Sequence, residues 1–592
     1  MKLFRFSHTR YAIAIVVIGI ALMSAYTVYS TSSDSAPDFG NNVLIFDPSM
    51  PAATVQDKVD SIFNQQESNQ FGSNRYAILF KPGTYNNTVK VGFYTQLMGL
   101  GQTPDAVTIN GGVQVDAAWF HSDATQNFWR GVENVAVVPD NGTMRWAVAQ
   151  ASPLRRVHVR GSMILDDSGW SSGGFMSDSL VDNEINSGMQ QQWISRNSRL
   201  GSWASSNWNI VFLGDDNPPS TSKWPDPSYT VIEHTPVVRE KPFLTMNDSG
   251  GYSIFVPALS NNSRGTSWES GAAAGQYIPI REFYIAKAAI DTAATMNAAL
   301  AKGKHLLLTP GIYKLNDTLR VSNANTVVLG LGIATLQPIS GLPAMTVGDV
   351  DGVKLAGILF DAGAINSPVL LQVGPANGHA NHSNNPASLH DLFFRIGGAG
   401  VGNATVSLQI NSNNVIADDL WVWRADHGEG VGWNTNTTTN GLVVNGDNVT
   451  IYGLAVEHFH QYQTVWNGNG GAVYFYQSEA PYDVPDQASW MNGNVNGYAS
   501  YKVADSVTSH QAWGVGVYCF FDTNPKVKLQ SAIEVPNSNE EQNVALFHDV
   551  TTVSLGGTGE ISHVINSRGS AANSSNNVIR LDKETRKIAS NH

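Results

Sequence analysis

Residues 76–101 read YAILFKPGTYNNTVKVGFYTQLMGLG, and residues 306–332 read LLLTPGIYKLNDTLRVSNANTVVLGLG. Both stretches contain, in the same order, an apolar strand, a Pro-Gly turn, a tyrosine, a second short strand and a closing Gly-Leu-Gly. A helical stretch precedes each of them, at residues 55–63 and 293–300. The chain therefore contains a duplicated module.

After each copy, short β-branched strands follow one another every ten residues or fewer, separated by glycine, asparagine and aspartate. This pattern is typical of a parallel β-helix, whose exposed first edge needs a covering helix. The sequence predicts an all-β chain of two tandem right-handed parallel β-helices, each with an N-terminal capping helix. The two Gly-Leu-Gly turns lack a phosphate-binding helix after them, so we interpret them as solenoid turns.

Changes in composition predict the domain boundaries. Residues 1–30 are expected to be a signal peptide or signal anchor, and residues 31–285 the first β-helix module with a connecting segment. Residues 286–580 are expected to form the second module, and residues 581–592 a polar tail. The connecting segment, about residues 215–290, is rich in proline, serine, tryptophan and glycine and lacks the regularity of the coils.

The N-terminus carries Lys2, Arg5 and Arg10 before an apolar run that extends to about residue 29. A cleaved signal peptide or an uncleaved membrane anchor fits this pattern, and the short run with a polar stretch after it favours cleavage. We expect a secreted protein, anchored in a membrane only if the segment is uncleaved. About ten N-x-[ST] sequons suggest N-glycosylation. They include Asn86, Asn141, Asn247, Asn316, Asn403, Asn436 and Asn448.

Charge and cysteine content narrow the possible partners. The net charge of -13, without a Lys/Arg-rich run, argues against nucleic acid and other polyanions and favours a neutral partner. The single cysteine, Cys519, excludes an intrachain disulfide and a cysteine-based metal cluster. His458 and His460 alternate on a strand and face opposite sides, so they cannot chelate one metal. We expect no metal, no cofactor and a monomer.

Glu457 and Glu479 lie 22 residues apart in a chain with few charges. One coil of a parallel β-helix takes roughly that many residues, and neighbouring coils stack about 4.8 Å apart. Equivalent positions on successive coils therefore project side by side. Two carboxyls so close cannot both ionise easily, so one pKa rises and that group can act as a general acid near neutral pH. This is the chemistry of glycosidic cleavage.

Aromatic residues near this pair in the sequence offer surfaces that pack on sugar rings. They are Trp421, Trp423, Trp433, Trp466, Tyr474, Tyr476 and Tyr482. In the alternative interpretation, both glutamates are solvated surface residues and the aromatic side chains belong to the core. The spacing alone does not separate the two.

Two acidic motifs have competing interpretations. Asp418 and Asp419 are similar to the paired aspartates of polygalacturonase-like β-helices, although a turn or supporting role is favoured. Asp426 and His427 either line a cleft as a polar pair or form a structural hydrogen bond, which is the favoured interpretation.

The segment 456–482 resembles the active-site region of glycoside hydrolase family 55, the β-1,3-glucanases or laminarinases. Members of that family carry a Glu-His pair followed by a Gln-Thr-Glu-Thr-Pro-Tyr-like motif; this chain has Glu457-His458 and then QSEAPY at residues 477–482. Further blocks are similar in the same order. They lie at residues 146–152, 172–178, 191–197, 395–398, 418–427 and 514–521.

The resemblance implies two β-helices packed side by side, a sugar-binding cleft between them, and hydrolysis with inversion. Glu479 would be the general acid, and Glu457 would help hold and activate the attacking water, with Gln150 and Ser172 reaching across from the first module. Residues expected to bind substrate are Trp421, Trp423, Trp433, Trp466, Tyr476, Tyr482, Gln192, Asp426 and His427.

The chain departs from the family pattern beside the proposed acid. Ser478 and Ala480 replace the usual threonines, and Asp483 stands where the family has a second aromatic residue. Hydrolysis of a β-glucan is therefore expected more firmly than β-1,3 specificity. The alternatives are a polysaccharide lyase or polygalacturonase-like enzyme and a non-catalytic glycan-binding cell-wall protein.

Overall fold

The computed structural model describes residues 37–220, 223–271, 273–536 and 545–581. The predicted signal or anchor segment, and the predicted polar tail apart from Leu581, lie outside the described residues. Within the described part of the chain, no helix is long and apolar enough to cross a membrane.

The first module is a parallel β-helix. Its main sheet stacks nine parallel strands in the order β1-β2-β4-β6-β8-β10-β12-β14-β15. The strands are β1 (Val43–Phe46), β2 (Tyr76–Phe80), β3 (Gly83–Lys90), β4 (Thr95–Gly99), β5 (Val107–Gln114), β6 (Arg130–Pro139), β7 (Thr143–Arg145), β8 (Leu154–Val159), β9 (Ser162–Ile164), β10 (Phe175–Ser177), β11 (Leu180–Asn186), β12 (Gln192–Arg196), β13 (Arg199–Ala204), β14 (Asn209–Leu213) and β15 (Tyr229–Ile232).

The strands that connect the two β-helices are antiparallel and do not form coils. β16 pairs with β19, and β17, β18 and β20 form a small sheet. These strands are β16 (Thr235–Arg239), β17 (Phe243–Met246), β18 (Tyr252–Pro257), β19 (Leu259–Ser263) and β20 (Gly275–Pro279).

The second module is also a parallel β-helix, with its main sheet in the order β21-β22-β25-β27-β29-β31-β33-β35-β39-β41-β43. A second sheet runs β24-β26-β28-β30-β32-β34-β38-β40-β42. The strands are β21 (Phe283–Ala286), β22 (His305–Leu308), β23 (Ile312–Leu315), β24 (Leu319–Val321), β25 (Val327–Pro338), β26 (Met345–Val347), β27 (Lys354–Asp361), β28 (Ser367–Val373), β29 (Ser388–Ile396), β30 (Ala404–Ile410), β31 (Ile416–Arg424), β32 (Asn440–Val444), β33 (Thr450–Glu457), β34 (Thr464–Trp466), β35 (Gly471–Glu479), β36 (Met491–Asn492), β37 (Val495–Asn496), β38 (Tyr501–Val503), β39 (His510–Cys519), β40 (Lys528–Glu534), β41 (Ala545–Ser554), β42 (Glu560–Ile565) and β43 (Val578–Leu581).

A capping helix lies near the start of each module, which confirms the prediction. They are α1 (Ala52–Gln66) and α2 (Ala293–Ala301). In α1, Val55, Val59 and Ile62 recur at helical spacing and are buried. Each helix follows a first strand, β1 or β21, rather than opening the module, which the sequence did not predict.

The two β-helices pack side by side, as predicted. Each has its own apolar core, and four smaller apolar clusters combine residues of both. Buried ion pairs also cross the interface: Arg155 of the first β-helix contacts Asp391 at 2.6 Å and Asp418 at 3.1 Å. Arg196 contacts Asp418 at 2.7 Å. Asp418 therefore holds the modules together and is not half of a catalytic pair.

A column of left-handed residues bends the main sheet of the second β-helix. Their φ angles lie between 49° and 70°, and they occupy the same register in successive strands. The column consists of Gly357, Asp391, Asp419, Gly453, Phe475, Gly514 and Asp549. Glycine, and to a lesser degree aspartate, tolerates this conformation, whereas a bulky residue such as Phe475 rarely adopts it. Asp419 is thus a bend residue.

Position along the strand after this bend decides which way a side chain points. The first and third residues after it enter the core of the second β-helix; Leu454 and Val456 are examples. The fourth residues are register partners across neighbouring strands and form what we call the fourth-position ladder. Its members are Asp361, Arg395, Trp423, Glu457, Glu479, Tyr518 and Val553.

One predicted glycosylation site is not accessible in the folded chain. Asn436 is fully buried. Its amide nitrogen donates hydrogen bonds to the carbonyls of Ile396 and Ala425 at 2.9 and 2.8 Å, so no glycan can be attached there without unfolding this loop.

Candidate active site

A pocket opens between the two β-helices at the C-terminal ends of β33 and β35. Both modules contribute to its wall. The lining residues are Thr125, Gln126, Phe128, Gln150, Ser172, Gln191, Trp421, Trp423, Asp426, His427, Glu457, His458, Glu479, Tyr482 and Leu555.

Glu457 and Glu479 lie side by side in this pocket. They end strands β33 and β35 and are register partners, as their 22-residue spacing predicts. Each stands four residues after a left-handed bend, at Gly453 and Phe475 respectively. Because both belong to the fourth-position ladder, both leave the core and face the cleft.

Glu457 is almost completely buried and is held from both modules. Its side chain is 3% exposed. Gln150 Nε2 donates to Oε1 at 2.8 Å, and Trp421 Nε1 donates to Oε2 at 2.8 Å. Burial raises the pKa of Glu457 well above its usual value, and the neighbouring Glu479 carboxyl raises it further.

Glu479 reaches further into the open pocket, with 15% of its side chain exposed. Gln477 Nε2 donates to its Oε1 at 3.1 Å, and the Tyr482 hydroxyl donates to its Oε2. His458 Nε2 lies 3.7 Å from Oε2. Burial raises the pKa of Glu479, and His458 and the Tyr482 hydrogen bond oppose this shift only in part.

The first β-helix supplies neutral polar groups to the opposite wall. Gln150 and Ser172 both line the pocket. Gln192 does not, although it is one of the predicted substrate contacts. Its Nε2 donates to Ser172 Oγ at 3.1 Å, so it supports Ser172 from behind.

Asp426 and His427 form both the hydrogen bond and the cleft lining that the sequence left as alternatives. His427 Nδ1 lies 2.8 Å from Asp426 Oδ1, and both residues line the pocket. Burial raises the pKa of Asp426, but the hydrogen bond from His427 is foremost among the effects that outweigh burial and lower this pKa to about 2. Asp426 is therefore a carboxylate at neutral pH.

Three of the predicted aromatic contacts, Trp421, Trp423 and Tyr482, lie in the pocket wall. The rings of Trp421 and Trp423 stack with centroids 4.9 Å apart. Both side chains are 1% exposed, so at most their edges are offered to a ligand.

The structure contradicts the other aromatic contacts. Trp466 and Tyr476 are fully buried in the core of the second β-helix, where Tyr476 donates to the Ser500 carbonyl at 2.7 Å. Trp433 is not in the lining and packs against His460, with ring centroids 4.4 Å apart. Tyr474 stacks on Trp513 instead, in a cluster between the modules. These predictions were wrong because sequence proximity does not give side-chain direction.

Sequence reasoning did not assign a role to several residues of the wall, namely Thr125, Gln126, Phe128, Gln191, His458 and Leu555. Gln191 lies in the family-like block 191–197 and His458 in the Glu457-His458 pair, so both could have been predicted from those motifs. Thr125, Gln126 and Leu555 lie outside the long strands of the main sheets, and no periodic pattern points to them.

Comparison with known proteins identifies the family of this chain. Residues 283–479 match the model of the LAM55 pectate lyase-like domain. An exo-β-1,3-glucanase of Streptomyces sp. (strain SirexAA-E / ActE) is 52% identical over 535 residues, which cover 90% of this chain and 87% of that protein. The chain belongs to glycoside hydrolase family 55.

Solved structures agree with this assignment of a family 55 glycoside hydrolase. The structure of sacteLam55A from Streptomyces sp. SirexAA-E has a TM-score of 0.90 and 50% identity, covering 92% of this chain and 99% of that one. A variant of that protein in complex with glucose has a TM-score of 0.89 and 50% identity, covering 92% and 98%. The expected family and pectate-lyase-like fold are confirmed.

Proposed function

We propose that this family 55 enzyme hydrolyses β-1,3-linked glucan from a chain end, with inversion at the anomeric carbon. The observation that carries the proposal is the hydrogen bond from Gln150 to Glu457 in the pocket that also contains Glu479. It joins a donor of one β-helix to a carboxyl pair of the other. The linkage and the exo mode follow the printed name of the Streptomyces relative.

Glu479 is the general acid in this proposal. As the bond between the anomeric carbon and the leaving oxygen breaks, the Glu479 carboxyl gives its proton to that oxygen. Both oxygens of Glu457 accept N–H groups, which suits an ionised carboxylate. Burial raises the pKa of both carboxyls, and that of Glu457 the more strongly, so the two N–H donors to Glu457 must keep it ionised for the proton of the pair to reside on Glu479.

The attacking water is held by Glu457 together with Gln150 and Ser172. As the water oxygen bonds to the anomeric carbon, its proton passes to Glu457, which restores the single proton shared by the pair. Inverting enzymes keep their carboxyls about 6.5–9.5 Å apart to leave room for this water. Adjacent coils lie only about 4.8 Å apart, so Glu457 and Glu479 must diverge toward the opposite wall to create that room.

A polysaccharide lyase is not favoured. A lyase needs basic residues to stabilise the acidic sugar, and none of the described lining residues is a lysine or an arginine. A non-catalytic glycan-binding protein is disfavoured by the raised pKa of both glutamates, which a passive binding surface does not require.

The decisive experiment compares the wild type with Glu479→Gln on laminarin. Loss of the general acid is expected to lower hydrolysis at least about a hundredfold while oligosaccharide binding stays measurable. Glu184→Gln, a surface change in the first β-helix, is the matched control. Equal activity of wild type and Glu479→Gln would reject the assignment.

Product analysis tests the mode and stereochemistry. Chromatography of a laminarin digest should show one small product from the earliest times, and NMR of the first turnovers should show the α-anomer. Initial β-anomer would contradict inversion, and early long oligosaccharides would contradict exo action. Unsaturated ends from any polysaccharide would indicate a lyase.

We also propose that the enzyme is secreted, because its polymeric substrate lies outside cells and the N-terminal segment has signal-peptide features. We propose further that it is a monomer. N-terminal sequencing of protein from the culture medium should find a start after about residue 30. A mass from light scattering near 64 kDa or below is expected. Retention of the intact N-terminus in a membrane fraction would support the anchored alternative.

A further inference from the structure

A loop of the first β-helix reaches across to the acidic wall of the pocket. This loop, residues 67–75, joins α1 to β2. Gln70 Nε2 lies 2.5 Å from His427 Nε2, and His427 Nδ1 lies 2.8 Å from Asp426 Oδ1. A continuous hydrogen-bonded chain thus runs from Gln70 through His427 to the Asp426 carboxylate.

The neighbouring Phe71 is seated in a socket formed by the second β-helix. Two glycines make the room: a Cβ atom at Gly398 or at Gly428 would lie 2.7 Å from the Phe71 ring. The ring also lies parallel to Trp423, with centroids 6.3 Å apart and an interplanar angle of 5°. Because a side chain at either glycine would displace Phe71, the second β-helix is shaped to receive this loop.

The backbone of Gln70 is fixed as well. The Tyr94 hydroxyl donates to the Gln70 carbonyl at 2.7 Å, and Arg395 Nη1 donates to the Tyr94 hydroxyl at 2.6 Å. Gln70 is 8% exposed. A buried side chain with both its backbone and its neighbour fixed presents its amide to His427 in one orientation.

These contacts select one tautomer of the neutral imidazole of His427. With Gln70 Nε2 as the donor, His427 Nε2 accepts and Nδ1–H donates to Asp426 Oδ1. The carboxylate is therefore held at the pocket wall, where it can accept hydrogen bonds from sugar hydroxyls.

We propose that Gln70 is a positioning residue for substrate binding: through His427 it orients Asp426 toward the hydroxyl groups of the glucosyl unit next to Glu457 and Glu479. The capping loop of one β-helix then completes the sugar site of the other. This inference rests on the proposed function, because it names a β-glucan as the ligand.

The first test measures binding without turnover. Laminaribiose is titrated by calorimetry into Glu479→Gln and into Glu479→Gln combined with Gln70→Ala. The loss of one hydrogen bond in the chain to a charged group is expected to weaken binding about tenfold. Gln65→Ala, a glutamine of α1 that bonds to Ser61 and Tyr76 instead, is the matched control and should leave binding unchanged.

The second test separates positioning from loss of structure. In the otherwise wild-type enzyme, Gln70→Ala should raise KM about tenfold and lower kcat less than about threefold, with an unchanged melting temperature. A merely structural role predicts a lower melting temperature without this split between KM and kcat.

The outcomes distinguish this inference from the proposed function. If Gln70→Ala binds and turns over substrate like Gln65→Ala, or if its defect comes with a lower melting temperature and no change in KM, the positioning role is wrong. If the wild type does not hydrolyse laminarin at all, the proposed function fails first, and laminaribiose binding then shows whether the sugar site exists.

Discussion

The two walls of the pocket differ in charge. The wall from the second β-helix contributes Glu457, Glu479 and Asp426, whereas the wall from the first contributes the neutral groups Gln150 and Ser172. Carboxyls on neighbouring strands of one sheet have a separation fixed by register, whereas the Gln150 hydrogen bond to Glu457 comes from the other module. The neutral wall can orient water and sugar without adding a charge that would disturb the proton of the carboxyl pair.

The largest effect is expected on the free energy of unfolding, when an ion pair that joins the two β-helices is removed. Arg155 is 3% exposed and pairs with Asp391 and Asp418 across the interface. Arg155→Ala leaves these carboxylates partly unpaired in the interior and should lower the free energy of unfolding by about 3–5 kcal/mol. Denaturant unfolding measures this. Arg160→Ala, which removes an exposed pair with Asp105, should cost less than about 1 kcal/mol; equal losses would contradict a special role for the interface.

A smaller effect is expected from placing a charge on the neutral wall. Gln150→Glu puts a carboxyl within hydrogen-bond distance of Glu457, so the two must share a proton and the pKa of the pair rises. We expect kcat/KM on laminarin to fall about a hundredfold at neutral pH and by less at acidic pH.

Gln150→Ala is the control for that change. It removes the donor without adding a charge, and its loss of about tenfold should depend little on pH. If both variants lose activity equally at every pH, the neutrality of this wall has no functional meaning.

The smallest effect is a shift in the pH profile. Burial raises the pKa of Glu479, and the hydrogen bond from Tyr482 opposes that rise. A general acid acts only when protonated, so activity exists below this pKa and is lost as the pH rises through it. Tyr482→Phe removes the opposing hydrogen bond, so the basic limb of kcat/KM should move upward by up to about one pH unit.

Tyr498→Phe is a suitable control, because the Tyr498 hydroxyl donates to the Met491 carbonyl and Tyr498 is not among the lining residues. Tyr498→Phe should leave the basic limb of the kcat/KM profile unchanged. A downward shift in Tyr482→Phe would mean that the tyrosine holds the proton on Glu479 rather than opposing it.

Much of the fold could be predicted because the repeated module carries its own order of strand, turn and Gly-Leu-Gly, and because α1 and α2 precede it. The spacing of Glu457 and Glu479 likewise equals one coil, and the two are register partners. Both inferences needed only the period of the solenoid.

The direction of individual side chains was harder to predict. Tyr476 was expected in the cleft, yet the bend at Phe475 resets the alternation and turns Tyr476 into the core while Glu479 faces out. Trp466 lies on β34, in the other sheet, and its side chain is buried in the core. Gln70 could not be found from spacing, because its partner His427 is brought near only by the packing of the two modules.

Three neighbouring members of the fourth-position ladder, Trp423, Glu457 and Glu479, line the pocket at a spacing of about 4.8 Å from strand to strand. Each member of the ladder is a single position that can be substituted. A functional group can therefore be placed at fixed steps along the pocket wall while the backbone stays the same. Tyr518 is the next member of the ladder after Glu479. In contrast, deleting one residue between a left-handed bend and the fourth residue after it would turn the side chain of that residue into the core. Among related chains, insertions and deletions should therefore be confined to the loops. Substitutions that change substrate specificity should fall at the ladder positions that line the pocket.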